Sequence, residues 1–343
     1  MKTTIKDVAK HAGVSIATVS LVVNNNSRIS SETKRKVLKS IKTLDYYPSK
    51  SARDLVSKKT GNIGFILTDD HFLRTEPFYT RIFLGTEFEA RDGEYYVLLT
   101  TVKSNFSNED PLPRFVLEKS VDGIIIAGKV PQNLIDKIVQ LNIPIMFVDY
   151  DANINCCPRV LIDNMQGGII ATNHLLELGH KKIGFIGADI DHPSLHDRLI
   201  GYKQALEQAN LIVNFNHIII DALYPDRQNG YDSAKRLFEN NKDVTAVFAC
   251  NDAMAIGVMH YLKDNNYKIP EDISVIGFDD VEADLLLDPP LTTMRVPKIE
   301  LGAEALRTMI NYLKNKNNSN KKILVPVELI VRNSTISIND RKV

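Results

Sequence analysis

Six side chains beyond the first sixty residues have the chemistry to hold a small polar ligand. Arg198 offers a rigid, planar fork of donors suited to hydroxyls or a carboxylate. Asp279 and Asn251 add matched acceptors and donors, and Phe78, Tyr79 and Tyr224 can stack on the apolar face of a ring. Plainer roles compete with these. Asn251 or Asp252 could simply cap the helix that follows, Phe78 taken alone reads as core, Asp280 reads as structural, and Asp163 reads as fixing a chain crossover. The adjacent pairs Asp69-Asp70 and Asp279-Asp280 could suggest metal or glycosidase chemistry. Neighbouring residues usually point apart, however, and no His or nucleophile joins them in a motif. There is no Gly-x-Gly-x-x-Gly opening a helix, no Walker loop, no Gly-x-Ser-x-Gly elbow and no His-Glu-x-x-His. Cys156, Cys157 and Cys250 are too few for a disulfide framework or a four-thiolate zinc site. The expectation is a binding protein with no catalytic residue, no metal and no cofactor.

The elements that must position these residues alternate in kind. Apolar runs at 63–67, 95–100, 123–127, 145–148, 160–162, 183–186, 218–220, 246–249 and 275–278 read as strands. Many are unbroken Val/Ile/Leu/Phe, as in parallel sheets covered on both faces. Helical segments at 78–91, 166–178, 196–209, 229–239, 253–265 and 299–313 fall between them. This β-α-β winding predicts open parallel sheets. Two similar halves suit the length better than one sheet: 62–162 plus 291–325, and 163–290 plus 326–343. Ligands in such sheets sit beyond the carboxyl ends of the strands, so two facing halves make a cleft and a hinge. The 315–322 run reads as an exposed loop before the last strand, and the tail after 333 lacks a Leu heptad.

The chain has 343 residues, 44% apolar and 24% charged, with a formal net charge of zero. No stretch approaches the ~18 apolar residues of a membrane span. The opening residues lack the apolar core of a secretory signal, so a reduced, cytoplasmic protein without membrane contact is expected. The zero charge hides an asymmetry: residues 1–60 hold 13 Lys/Arg against 4 Asp/Glu, leaving the remainder at −9. A basic head on an acidic body raises the question of nucleic acid.

Three short helices are predicted in that head. Thr4 caps the first, with Ile5, Val8, Ala9 and Ala12 at helical spacing, and Gly13 ends it. Ser15 caps the second, which runs through Val19 and Val22/Val23 to a turn at 24–27. Ser30 caps the third, from Ser31 to about Asp45, with Val37, Leu38, Ile41 and Leu44 as its buried stripe. Two helices joined by a Gly turn plus a supporting third make a helix-turn-helix plan, although pattern alone leaves open a helical bundle for protein contacts.

The order Thr4-Ile5-Lys6-Asp7-Val8-Ala9-Lys10-His11-Ala12-Gly13-Val14-Ser15-Ile16-Ala17-Thr18-Val19-Ser20 resembles the opening signature of the LacI/GalR family of bacterial transcription regulators. The likeness continues through Ile29–Thr33, Leu44-Asp45-Tyr46-Tyr47-Pro48 and Ser49-Lys50-Ser51-Ala52-Arg53-Asp54-Leu55. It extends into the body at Leu178-Gly179-His180, Asn251-Asp252-Ala253 and Gly277-Phe278-Asp279-Asp280. The resemblance implies an all-α helix-turn-helix domain (1–48), a hinge helix and linker (49–61), and an α/β effector and dimerisation domain of periplasmic-binding-protein type (62–343). It implies a homodimer on a near-palindromic duplex operator, controlled by a small effector; purine- and sugar-responsive members share the pattern, and Arg198 and Asp279 among aromatics suit a sugar better than a purine. The DNA-facing set it implies is Thr4, Ser15, Ile16, Ala17, Thr18, Ser20, Leu21, Asn24, Arg28, Ser49, Ala52, Arg53 and Leu55, with Leu55 as a minor-groove wedge. Its effector contacts fall on Arg198 and Asp279. Ile16, Ala17 and Leu21 depart from the polar or basic residues common at these positions. They can touch thymine methyls but cannot make bidentate bonds to guanine or adenine. A transport binding protein using the same cleft should show the reverse pattern, an export signal and no basic head.

Overall fold

The computed structural model describes residues 3–23, 29–46, 59–72, 77–93, 95–152, 154, 157–188, 191–222, 224–315 and 320–340. The chain divides into two compact units, Met1–Thr60 and Gly61–Val343.

In the first unit, helices α1 (Ile5–Ala12), α2 (Ile16–Val23) and α3 (Ser31–Thr43) pack around Val8, Ala9, Val19, Val22, Val37 and Tyr46. Their ends follow from local chemistry. Gly13 adopts φ 66° and returns its N–H to Ala9 O, a left-handed close that a side chain would strain. Ser15 Oγ accepts the Thr18 N–H at 3.1 Å, and Ser30 Oγ accepts that of Thr33 at 3.3 Å. Thr4 caps differently from expectation. Its hydroxyl and its N–H both donate to Asp7 Oδ2, at 2.6 and 2.9 Å, and these bonds hold the Asp7 carboxyl below its usual range. The expected buried stripe of α3 also needs correction, because Leu38 is 48% exposed. Ser40 is buried instead, its hydroxyl donating to Lys36 O and meeting His11 Nδ1 at 2.9 Å.

The second unit contains two six-stranded sheets. The first holds β1 (Asn62–Thr68), β2 (Tyr96–Val102), β3 (Gly123–Ala127), β4 (Ile145–Val148), β5 (Arg159–Ile162) and, from far along the chain, β11 (Lys322–Val325). Their order is β11-β5-β4-β3-β1-β2. The second holds β6 (Ile183–Ala188), β7 (Ile218–Ala222), β8 (Ala246–Ala249), β9 (Ser274–Asp279), β10 (Thr292–Arg295) and β12 (Glu328–Ile330), in the order β12-β10-β9-β8-β6-β7. All described pairings are parallel except β10 with β12. Strands β3, β4 and β8 are buried along their whole length, which explains their unbroken apolar runs. Truncating one such residue, Phe248 to Ala, would cost about 3–5 kcal/mol through lost transfer energy and the cavity left behind.

Helices α4 (Phe78–Asp92), α5 (Gln132–Gln140) and α10 (Lys298–Lys314) serve the first sheet. Helices α6 (Asn164–Glu177), α7 (Pro193–Gln208), α8 (Arg227–Asn240) and α9 (Asp252–Asp264) serve the second. The chain crosses between halves three times: after β5, between β10 and α10, and between β11 and β12. The second crossing corrects the expected division at 290/291. Thr292–Arg295 hydrogen-bond in register with β9, so they belong to the second half, and the chain leaves only at Val296-Pro297. Helices α6 and α7 approach closely because Gly168 faces α7. A Cβ there would collide with the carbonyl of Arg198, so this glycine sets the depth at which Arg198 sits.

Candidate functional site

A cavity of about 490 Å³ opens at the carboxyl ends of both sheets. The six residues expected to hold ligand, Phe78, Tyr79, Arg198, Tyr224, Asn251 and Asp279, all line it. Their roles are not equal.

Arg198, on the second turn of α7, is 4% exposed. Its Nε donates to Asn164 Oδ1 at 2.8 Å and its Nη1 to Cys250 O at 2.6 Å, while its guanidinium carbon lies 3.7 Å from the Phe278 ring centre. That leaves Nη2 towards Asp279 Oδ1 at 3.6 Å, an ion pair without a hydrogen bond. Asp279 ends β9 with φ 124°, a conformation costly for any residue with a side chain. Its Oδ1 is buried with no hydrogen-bond partner among the described residues. Burial pushes this carboxyl up to about 7 against the opposing pull of Arg198. An unsatisfied buried acceptor beside a cation is costly unless a ligand donor completes it.

Asn251 resolves its two readings in favour of the cap. Its Oδ1 accepts the Met254 N–H and its Nδ2 donates to Pro225 O, both at 2.9 Å, so the side chain supports the cavity wall at the start of α9. Asp252 is not the cap. It lies fully buried, accepting the Thr293 hydroxyl at 2.6 Å and the Val281 N–H at 3.2 Å, and it hydrogen-bonds to Asp284. Asp163 caps α6 through the Gln166 N–H at the first crossing, and Asp280 is held by Arg295 and Arg332, both structural placements.

Tyr79 lines the cavity, yet it is not an open stacking face. His71 lies parallel to its ring at 4.4 Å, Phe78 meets it edge-on, and its hydroxyl donates to Asp149 Oδ2 at 2.9 Å. Phe78 and the half-exposed Tyr224 are the aromatic rings left for a ligand. Sequence reasoning passed over Asp149, His71, Ser194 and His192. Asp149 carried a usable signal, since it directly follows Val148 at the end of β4, the position that marks a ligand-facing residue in such sheets. It is buried, and the Ser194 hydroxyl reaches it from the other half at 3.4 Å.

In the head, the start of α2 presents Ile16, Ala17 and Leu21 to solvent, with Ile16 45% and Leu21 39% exposed. Ser15 and Thr18 share a hydroxyl hydrogen bond of 2.9 Å beside them, and Ser20 is half-buried. The outer face of α3 gathers Lys34, Arg35, Lys39 and Lys42. Thr4 is tied to Asp7 as described. Asn24, Arg28, Ser49, Ala52, Arg53 and Leu55 lie outside the described residues.

Residues 4–49 match the family described as "Bacterial regulatory proteins, lacI family", and residues 172–335 match a "Periplasmic binding protein-like domain". Over 341 residues the chain is 34% identical to the HTH-type transcriptional repressor PurR of Haemophilus influenzae, covering 98% of this chain and 99% of that one. The chain belongs to the lacI family of bacterial regulatory proteins. This regulator is therefore a DNA-binding transcription factor with a helix-turn-helix head and a two-part α/β body of periplasmic-binding-protein type. Among solved structures it resembles the transcriptional regulator CelR–cellobiose complex, with a TM-score of 0.73, 26% identity, and coverage of 97% and 100% of the two chains. It also resembles a LacI family regulator from Enterococcus faecium with bound ribose, with a TM-score of 0.69, 27% identity, and coverage of 80% and 99%. Among the described residues no helix is long and apolar enough to cross a membrane.

Proposed function

We propose that this regulator is a cytoplasmic repressor that binds a near-palindromic duplex operator as a homodimer, and that a sugar in the cavity sets its operator affinity. The observation that carries the sugar reading is the unsatisfied Asp279 Oδ1 beside the Arg198 guanidinium, flanked by Phe78 and Tyr224. A vicinal diol supplies a donor for the carboxylate and an acceptor for the guanidinium, and its ring gives the aromatics a face to cover. The similar structures solved with cellobiose and with ribose support that class. Leu285 and Leu286, 61% and 88% exposed side by side, support a second copy as partner.

A ligand that favours one arrangement of the two halves shifts the population of hinge geometries. Moving that balance from 1:99 to 99:1 takes about 5.5 kcal/mol of differential affinity. In the head, apolar Ile16, Ala17 and Leu21 read thymine methyls while Ser15, Thr18, Ser20 and the Lys/Arg set position phosphates. Leu55, outside the described residues, is the proposed wedge between central base pairs.

A melting-temperature screen of the full chain with glucose, ribose, cellobiose, hypoxanthine and guanine tests the ligand class, since a ligand of the folded state raises the midpoint. A sugar should raise it. A purine that does so while every sugar leaves it unchanged contradicts the sugar reading. Sedimentation at micromolar concentration should show a dimer, and a monomer would remove the two-fold model.

A further inference from the structure

We propose that Lys298 is the positioning residue that fixes Asp279 for its ligand and ties it to the chain crossing, an inference that rests on the cavity being the effector site. Lys298 is the first residue of α10, immediately past the Val296-Pro297 crossing, and so belongs to the first half. Its ammonium reaches back to the second half, donating to the main-chain carbonyl of Asp279 and, at 3.3 Å, to that of Asp280. The Val296 N–H also approaches Asp279 O, at 3.4 Å.

These two carbonyls converge for a reason visible in the backbone. Asp279 and Asp280 have consecutive positive φ values, 124° and 56°. Such a turn is unfavourable for side-chain-bearing residues and persists only where its surroundings over-determine it. Three cations do so here. Arg295 holds the Asp280 carboxylate at 2.6 Å, Arg332 holds its other oxygen, and Lys298 holds the two carbonyls. Asp280 is thus spent on the scaffold, and the Asp279 carboxylate is left facing the cavity.

Lys298 also touches the cavity's aromatic wall, with Nζ 5.8 Å from the Phe78 ring centre. One ammonium therefore contacts Phe78 from the first half and the Asp279 main chain from the second. The charged groups facing Asp279 are Arg198 on α7, Lys298 on α10, Asp252 on α9 and Asp149 after β4. Removing Lys298 takes away a cation that, with Arg198, opposes the buried charge of Asp252 and Asp149 around Asp279.

The test needs no ligand for its first arm. In the full chain labelled with carboxyl-13C aspartate, the Asp279 resonance, assigned by its loss in Asp279→Asn, is titrated against pH. Lys298→Met keeps the unbranched stem over Phe78 and removes charge and donors, and Lys298→Arg restores the charge. Lys298→Met should shift the Asp279 midpoint up by about one unit, a tenfold change in proton affinity, and Lys298→Arg should return most of that shift. An unchanged midpoint in Lys298→Met, or a shift that Lys298→Arg fails to reverse, overturns the assignment. The second arm measures the dissociation constant of the sugar that most stabilises the parent chain. It should rise at least tenfold in Lys298→Met and recover in Lys298→Arg, and an unchanged constant overturns the ligand-positioning role. If no sugar stabilises the parent chain, the effector reading fails, and with it the claim that Asp279 is placed for a sugar. The titration still decides whether the Lys298 charge, held on the Asp279 main chain, acts on that carboxyl.

Discussion

In the head, Ile16 and Leu21 stand 45% and 39% exposed, while Val19 and Val22 on the same short helix are buried. In the cleft the inversion runs the other way: Arg198 is 4% exposed and Asp279 has a buried oxygen with no hydrogen-bond partner among the described residues. One unit leaves apolar surface in water, and the other buries charge. Each arrangement is unfavourable in the isolated chain, and the proposed partners would relieve them in different ways, thymine methyls in one case and hydroxyls in the other. Function in this regulator is thus marked where side-chain polarity and burial disagree, and the sign of the disagreement tells which kind of ligand is wanted.

The largest expected effect tests the buried side of that contrast. Arg198→Ala strands Asp279, Asn164 and Cys250 O together, and should cost about 3 kcal/mol of folding stability along with all stabilisation by the effector. Denaturant unfolding with and without ligand measures both. Unchanged stability would mean that the guanidinium is not the keystone its contacts suggest. Next comes the wedge. Leu55→Ala should weaken operator binding about tenfold or more while leaving binding to random duplex nearly intact, as read by anisotropy on both duplexes. An equal loss on both would remove the wedge role.

Within α2 the contrast can be tested side by side. Val19→Ala should destabilise the fold by about 2 kcal/mol, as a buried truncation does. Ile16→Ala should leave stability within about 0.5 kcal/mol and instead lower operator affinity by about fivefold. If Ile16→Ala destabilises the fold as much as Val19→Ala, the exposed residues are core after all.

The smallest effect is a slope. Burial pushes Asp284 up to about 10 and Asp279 up to about 7, from an ordinary 3.8. The folded chain therefore holds these protons more tightly than the unfolded chain. Their contribution is complete below about pH 4 and declines as pH rises through 7 and then 10. Asp284→Asn, which keeps a donor for Asp252, should flatten the decline at the alkaline end. A parent chain whose stability rises steadily between pH 5 and 9 would contradict the shared-proton geometry of Asp252 and Asp284.

Much of the fold was legible because buried parallel strands announce themselves: Ile124, Ile125 and Ile126 have no exposed surface and leave no polar face in the sequence. Strand β10 was not legible for the opposite reason. Thr292 and Thr293 are fully buried, but their hydroxyls are spent on Thr335 and Asp252, partners brought from 43 and 41 residues away. Leu38 departs from the apolar stripe of α3 because Ser40 takes the inward position through its bonds to Lys36 O and His11. At the cleft, residue chemistry and the family resemblance together pointed to Arg198, on α7, and Asp279, at the end of β9. They could not show that Tyr79 is covered by His71 and tied to Asp149, because both partners arrive through the fold.

Ligand in the cleft of Gly61–Val343 is proposed to govern how the head of Met1–Thr60 holds DNA. Selection of genomic duplex fragments by the purified full chain, followed by affinity measurement with and without the sugar that most raises its melting temperature, tests this directly. A near-palindromic fragment should be enriched, and its affinity should change at least tenfold, about 1.4 kcal/mol, when that sugar is added. An enriched fragment bound with the same affinity whether the cleft is empty or saturated would contradict it.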